Sequence, residues 1–318
     1  MERALVEDAR KSSDSGSGIF SRLAWWFVVY LIAVILFGAW VRIAGAGAGC
    51  GNHWPLCNGE VLPAALAEKT LIEFTHRITS ALCGLFGIGF VVAAWRIGNR
   101  RILRAALATL VFILVEGFVG AVLVKKELVA NDASVSRAVV IGIHLANTLL
   151  LMAAATAMAW RASPLVVAAR TAGRGLLAAA MGVLVLTNMT GAVTALGDTL
   201  FPLQPTLDGS LFAKVREDLT AGQHFLVRLR VIHPFVAVFS AALLTGVVAS
   251  IRRGYLGDGP MRTLLLWPLL LVAVQVAMGA FNIVLAAPGW MQIAHLLGAQ
   301  VLWVSVCAGY LAIGRRVN

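Results

Sequence analysis

Charge is what this sequence has least of. Of its 318 residues only 13% are Asp, Glu, Lys or Arg, against 60% hydrophobic, and its mean hydropathy is +0.87. A water-soluble domain of this length carries roughly a quarter charged residues, so the polar surface that water requires is missing. That excludes an ordinary soluble enzyme. It leaves lipid as the solvent, where long uncharged stretches become helices that satisfy their own backbone. Acidic residues are scarcer than basic ones, 15 against 26, which gives a net charge of +11. The excess brackets the apolar segments and builds no stripe or basic domain, so it carries topology and not nucleic-acid binding. Cysteine is scarce too: four residues cannot staple a disulfide-rich scaffold, and their individual positions matter more than their number. No cleavable signal peptide is convincing; Ala48-Gly49-Cys50 faintly resembles a lipoprotein cleavage site but follows a full-length span.

What is present is apolar length. After a polar stretch over 1–18, which reads as a disordered cytoplasmic tail, eight apolar segments follow. They lie near 23–42, 71–95, 103–124, 138–160, 174–196, 229–250, 264–285 and 291–313, each close to the ~20 residues that span a bilayer as helix. Ala287-Pro288-Gly289 must turn tightly between the last two. Counted on alternate sides, sixteen of the 26 Lys and Arg residues fall with the two termini, which places both termini in the cytoplasm. The loops 43–70, 125–137 and 197–228 then face outwards, into the periplasm if the source is Gram-negative, and the protein is an inner-membrane one.

The spans repeat. Val115-Glu116-Gly117-Phe118-Val119-Gly120-Ala121 aligns with Val274-Gln275-Val276-Ala277-Met278-Gly279-Ala280, and Ile143-His144-Leu145 with Ala294-His295-Leu296. His76 falls opposite His233, and Gly38-Ala39-Trp40-Val41 echoes Gly191-Ala192-Val193-Thr194. Four crossings return the chain to its starting side, so the two units run parallel. The expected fold is an all-α membrane protein: eight transmembrane helices in two four-helix bundles, 19–161 and 174–318, joined by a cytoplasmic linker over 162–173.

Four of the six histidines, His76, His144, His233 and His295, lie in spans two, four, six and eight, each a few residues from the outward end. Ionisable side chains are costly in lipid and face the bundle interior. Within each half two parallel helices offer one imidazole at matching depth, which suits clamping a heme iron from both faces. Zinc wants more ligands close by; Glu73 keeps a dinuclear or zinc-type site open in the first half. Glu73 sits three residues before His76 and so on the same helix face, where a carboxylate relays protons or stabilises positive charge. A plain ion pair with Arg77 or Lys69 is the alternative. In the second half Arg230 takes the equivalent position and Arg228 adds a second basic residue; both suit propionates or simply mark a span end. The first half is therefore expected to be catalytic and the second an electron-transfer or structural heme site.

Cys50 and Cys57, in a Gly/Pro-rich loop on the oxidising side, favour a disulfide, either structural or redox-active. His53 between them reads as an exposed loop residue, and His224 is given no role. Cys83 and Cys307 read as packing residues. Glu116, in mid-span, needs a partner; with Gln275 at the equivalent place, an interhelical polar bond is expected.

Gly49-Cys50-Gly51 through Trp54-Pro55-Leu56-Cys57-Asn58-Gly59, then Glu73-Phe74-Thr75-His76-Arg77, with His144, His233 and His295, resemble the heme A synthase family over residues 20–313. The resemblance implies oxidation of a ring methyl of heme O to a formyl group, giving heme A for terminal oxidases. It implies His76 and His144 around the substrate heme O, Glu73 as catalytic carboxylate, and heme b on His233 and His295 as resident cofactor. Some members carry a second cysteine pair where this chain has Asp198-Thr199-Leu200-Phe201-Pro202, which puts in doubt any mechanism needing both. Implied partners are heme O and the synthase that donates it, an unidentified electron donor or acceptor, and membrane lipid; a homo-oligomer stays open. A diheme cytochrome b carrying electrons without chemistry on heme is the competing class, with a heme exporter or chaperone and a heme-free transporter behind it.

Overall fold

The computed structural model describes residues 2–64, 67–163, 172–203, 215–216, 218–220, 222–255 and 257–313. Among them there are helices and no strands, only an isolated bridge between Cys57 and Glu60. The helices are α1 (Glu2–Ile43), α2 (Glu68–Ile97), α3 (Arg100–Lys125), α4 (Val135–Ala162), α5 (Arg174–Leu200), α6 (Phe225–Arg230), α7 (Ile232–Arg253), α8 (Gly259–Leu264), α9 (Leu266–Val284) and α10 (Gly289–Ala312). They make eight stretches long and apolar enough to cross a membrane, from Ser17–Ile43 to Gly289–Ala312, with α6–α7 and α8–α9 counting as one stretch each. This is the composition of a multi-pass membrane protein. Each observed stretch overlaps one of the apolar segments read from the sequence. The expected disordered tail is not what the backbone shows: α1 starts at Glu2, in a stretch rich in Glu, Ala, Leu and Arg, all strong helix formers.

Two breaks interrupt otherwise continuous spans, and proline explains both. The α6–α7 break follows Arg230 and the α8–α9 break follows Leu264. Pro234 and Pro268 lie four residues beyond those two positions. Proline has no N–H for the carbonyl four residues back and its ring clashes with it. The helix therefore bends where Arg230 leaves the span end.

Helices α1, α2, α3 and α4 pack in a closed ring, each against two of the others; α5, α7, α9 and α10 pack in a second. The two rings meet through α1, α4, α5 and α10. Helix α4 is the centre: half of its apolar window is buried, against 17% for α2 and for the α8–α9 span. Met152, Ala155, Met158 and Ala159 are fully buried on its inner side. Lipid supplies no hydrophobic drive between helices, so close packing and interhelical hydrogen bonds hold the rings together. Trp303 Nε1 donates to the Leu149 carbonyl (2.7 Å). Arg42, at the end of α1, donates to Ala195 O (2.6 Å), to the Thr199 hydroxyl and to Gln292 Oε1 (3.0 Å), tying α1 to α5 and α10.

The turn into α10 is as tight as the sequence requires. Ala286 and Ala287 both adopt positive φ, +60° and +51°, and Ala287 N–H donates back to Asn282 O (2.7 Å). Left-handed alanine costs roughly 1 kcal/mol. Replacing Ala287 with glycine is therefore expected to raise thermal stability slightly, by about 0.5–1 kcal/mol, measurable by unfolding in detergent.

Candidate functional site

The loop after α1 is docked on the N-terminal end of α2 by Glu73 and Arg77, which the sequence had singled out, and by Thr70. Cys50 and Cys57 form a disulfide. Cys50 N–H donates to Glu73 Oε2 (2.9 Å), and the Thr70 hydroxyl donates to Gly49 O (2.8 Å). Position 49 must be glycine, since a Cβ there would collide with the Lys69 carbonyl. Arg77 donates through Nη1 to His53 O and Leu56 O, both at 2.6 Å, and through Nη2 and Nε to Glu73 Oε1 at 2.5 and 3.1 Å. Glu73, only 4% exposed, thus accepts on both oxygens and pairs with Arg77, not Lys69. His53 itself is exposed, as expected of a loop residue.

Behind this loop lies one cavity of about 1520 Å³ that reaches all four membrane histidines. A drug-sized ligand occupies a pocket of roughly 300–1,000 Å³, so the space exceeds what a single such ligand needs. His76 and His144 are close enough to act on each other electrostatically, and so are His233 and His295. These are pairs within each half, and the repeat relates one pair to the other. Among the described residues no three His, Cys, Asp or Glu side chains converge as a metal-ion site.

Two glycines make room for two of the rings. An added Cβ at Gly38 would stand 3.0 Å from His76 Cε1, and one at Gly191 2.9 Å from His233 Cε1. These are the glycines of the Gly38-Ala39 and Gly191-Ala192 echo, so that match marks where α1 and α5 let an imidazole pass. Phe37 meets the His76 ring edge-on at 5.7 Å. Gly191→Ala is expected to push His233 off its position at a packing cost of about 1–3 kcal/mol. Any chromophore bound through His233 would then show an altered absorption spectrum, whereas Gly182→Ala, with open space around it, should leave the spectrum unchanged.

Polar side chains stand beside Nδ1 of two of the imidazoles. His144 Nδ1 lies 2.5 Å from Glu116 Oε2, and Glu116 Oε1 accepts from the Thr148 hydroxyl (2.8 Å). A carboxylate accepts only, so the ring proton sits on Nδ1. At His233 the partner is Thr190, 3.0 Å from Nδ1. The Thr190 hydroxyl also lies 2.8 Å from Thr187 O, and when it donates there it accepts from the ring. A neutral ring with its proton on Nδ1 at either position presents Nε2 with its lone pair available, which is what a metal-ligating histidine needs. Glu116 is thus an interhelical bond, as the sequence required, and its partner is a candidate ligand. Gln275, at the equivalent place, donates to His295 O (3.0 Å) and not to the ring.

The basic residues fall differently from expectation. Arg228 is exposed and outside the cavity wall. Arg230 lines the cavity, but Nε and Nη2 are held by Asp218 at 2.8 and 2.7 Å, and Nη1 donates to Phe201 O (3.0 Å) with Asp198 at 3.8 Å. Its donors are committed within the protein. The sequence reading missed Arg42, Arg137, Asp198 and Asp218 as cavity residues. The only signal for the two arginines was position, since Arg42 stands in the last turn of α1 and Arg137 in the first turn of α4.

A family model described as COX15-CtaA, cytochrome oxidase assembly protein, matches residues 21–307. A Thermus thermophilus protein named protoheme IX farnesyltransferase is 45% identical over 299 residues, covering 90% of this chain and 47% of that protein. The chain thus spans about half the length of that relative. Proteins named heme A synthase from Bacillus mycoides and Bacillus cereus are each 38% identical over 93 residues, 29% of this chain and 30% of theirs.

Proposed function

The chain belongs to the family of cytochrome oxidase assembly proteins, and on that premise we propose that it is an oxidoreductase of heme A biosynthesis, a heme A synthase acting on heme O. The observation that carries this reading is the pair of histidine pairs on one cavity, with unlike surroundings. His144 is backed by a carboxylate and His233 by a hydroxyl, and Glu73 and Arg77 occur in the first unit alone. Two hemes with different tasks fit that asymmetry better than two equivalent electron carriers.

In this reading the first unit, 19–161, takes heme O between His76 and His144, and the second, 174–318, holds heme b on His233 and His295. The residues fit these groups: polar partners stand at Nδ1 of His144 and His233 and leave Nε2 for a ligand, glycines clear the rings of His76 and His233, and the cavity exceeds a single small-ligand pocket. The resident heme would supply one-electron redox chemistry. This chain's own residues do the rest. Glu116 and Thr190 orient the rings through Nδ1. Glu73, an acceptor on both oxygens, places negative charge on the cavity wall and stabilises positive charge developing on the substrate methyl carbon. With water as the oxygen source, the methyl takes one water to become the alcohol and the alcohol takes a second to become the hydrated aldehyde; each step releases two protons and two electrons, the electrons pass to an external electron acceptor, and the hydrate then loses water. The cysteine loop covers the outer end.

The parallel repeat is supported by the two closed helix rings and the paired Gly38–His76 and Gly191–His233 contacts. Cytoplasmic termini and an inner-membrane location rest on the distribution of basic residues. The Thermus relative's name joins this sequence to farnesyl transfer onto protoheme, which is the reaction that would supply heme O. We test the activity by expressing the chain in a host that makes heme O and separating the extracted hemes by chromatography. Heme A in the extract is the expected result. Heme b alone, retained in every preparation, would replace the synthase with a diheme electron carrier.

A further inference from the structure

Among the described residues Arg137 is a buried cation without a matching anion, and we propose that it binds a carboxylate of the molecule held between His76 and His144. Four arginines and four carboxylates line the cavity: Arg42, Arg77, Arg137 and Arg230, with Glu73, Glu116, Asp198 and Asp218. Arg77 is paired with Glu73, Arg230 with Asp218 and more distantly with Asp198, and Glu116 with His144. Arg42 spends its donors on three neutral acceptors between α5 and α10.

Arg137 is 5% exposed. Its Nη1 donates to Ala130 O (2.8 Å) and Asp132 O (2.6 Å), which fixes the guanidinium, while its Nε is buried with no partner. The Asp132 carboxylate, whose charge Arg137 feels, is turned to Ser134, accepting from its N–H (3.2 Å) and its hydroxyl (2.8 Å). A buried guanidinium with a vacant donor and no ion pair is strongly penalised, and a ligand carboxylate removes the penalty with a charge-assisted bond. Position agrees with this. Arg137 precedes His144 by seven residues on α4, two helical turns, so both project from the same face into the cavity. Arg42 is near enough to act on Arg137 electrostatically, which raises the positive potential there. No cavity-lining arginine stands at the corresponding place before His295, where position 288 is proline, so the anchor distinguishes the first pair from the second.

The inference rests on the heme reading above and is tested by binding, without turnover. The full chain in detergent is titrated with heme O and with its dimethyl ester, which differ only in the two carboxylates. Wild type is expected to bind the free acid about tenfold or more tightly than the ester. Arg137→Gln should hold the two within about threefold of each other, and Arg137→Lys, which keeps the charge, should retain part of the preference. An equal preference in Arg137→Gln and wild type, or none in wild type, overturns the anchor and leaves the heme reading standing. If Arg137 only ties down the preceding loop, both variants weaken acid and ester alike, and the anchor again falls. Failure of wild type to bind either compound overturns the heme reading and the anchor together.

Discussion

Replacing Glu73 with alanine is expected to lower heme A formation by about 100- to 1,000-fold, the loss seen when a preorganised electrostatic partner of a developing charge is removed. A second effect accompanies it. Glu73 links Cys50 N–H to Arg77, and Arg77 links Glu73 to the carbonyls of His53 and Leu56. Without the carboxylate, the loop over the cavity loses one bond directly and keeps Arg77 only as an unpaired buried charge. The loop should then open to proteolysis between residues 50 and 59. Glu73→Gln separates the two effects, because it preserves shape and an acceptor for Cys50 N–H but removes the charge. Heme A yield should fall nearly as far in the Gln variant as in the Ala variant, while protease resistance stays close to wild type. A Gln variant with undiminished heme A would make Glu73 a loop clamp and nothing more.

The largest stability loss is expected at Arg230. Arg230→Met leaves the Asp218 carboxylate, 14% exposed, and the Asp198 carboxylate, 11% exposed, without their cation. Breaking a buried pair from one side costs about 3–5 kcal/mol, a large part of a protein's whole stability margin. The single variant should be recovered in poor yield or unfold at much lower temperature in detergent. Arg230→Met combined with Asp218→Leu should recover most of that loss, since an apolar replacement of both partners is often neutral. A single variant within about 1 kcal/mol of wild type would show the pair behaving as a surface one. It would also reopen Arg230 as a donor to a bound ligand.

Much of this was legible in the chain because lipid enforces simple rules. Uncharged runs of about 20 residues become helices, and the spans overlap the stretches where hydropathy puts them, apart from the start of α1, whose helix begins at Glu2. The four histidines were legible because they are costly in lipid and recur at repeat-equivalent places. What hydropathy does not encode is which donor meets which acceptor. Arg230 looked available for an anionic ligand, yet Asp218, twelve residues earlier in a long loop, takes it. Arg137 was not singled out in the sequence, and only packing shows it buried. Glu116 needed a partner by energetics alone, but that the partner is His144 depends on how α3 and α4 rotate against each other. The breaks before Pro234 and Pro268 were readable from proline chemistry.

The most direct measurement is the heme content and absorption spectrum of the purified full-length chain from a host that makes heme O, compared with His144→Ala and His233→Ala. Two hemes per chain with six-coordinate, bis-histidine spectra are expected in the wild type. His233→Ala should lose heme b, and His144→Ala should lose heme O and heme A while keeping heme b. A chain that holds no heme, or in which either substitution removes both hemes in equal proportion, would contradict two separate histidine-paired sites.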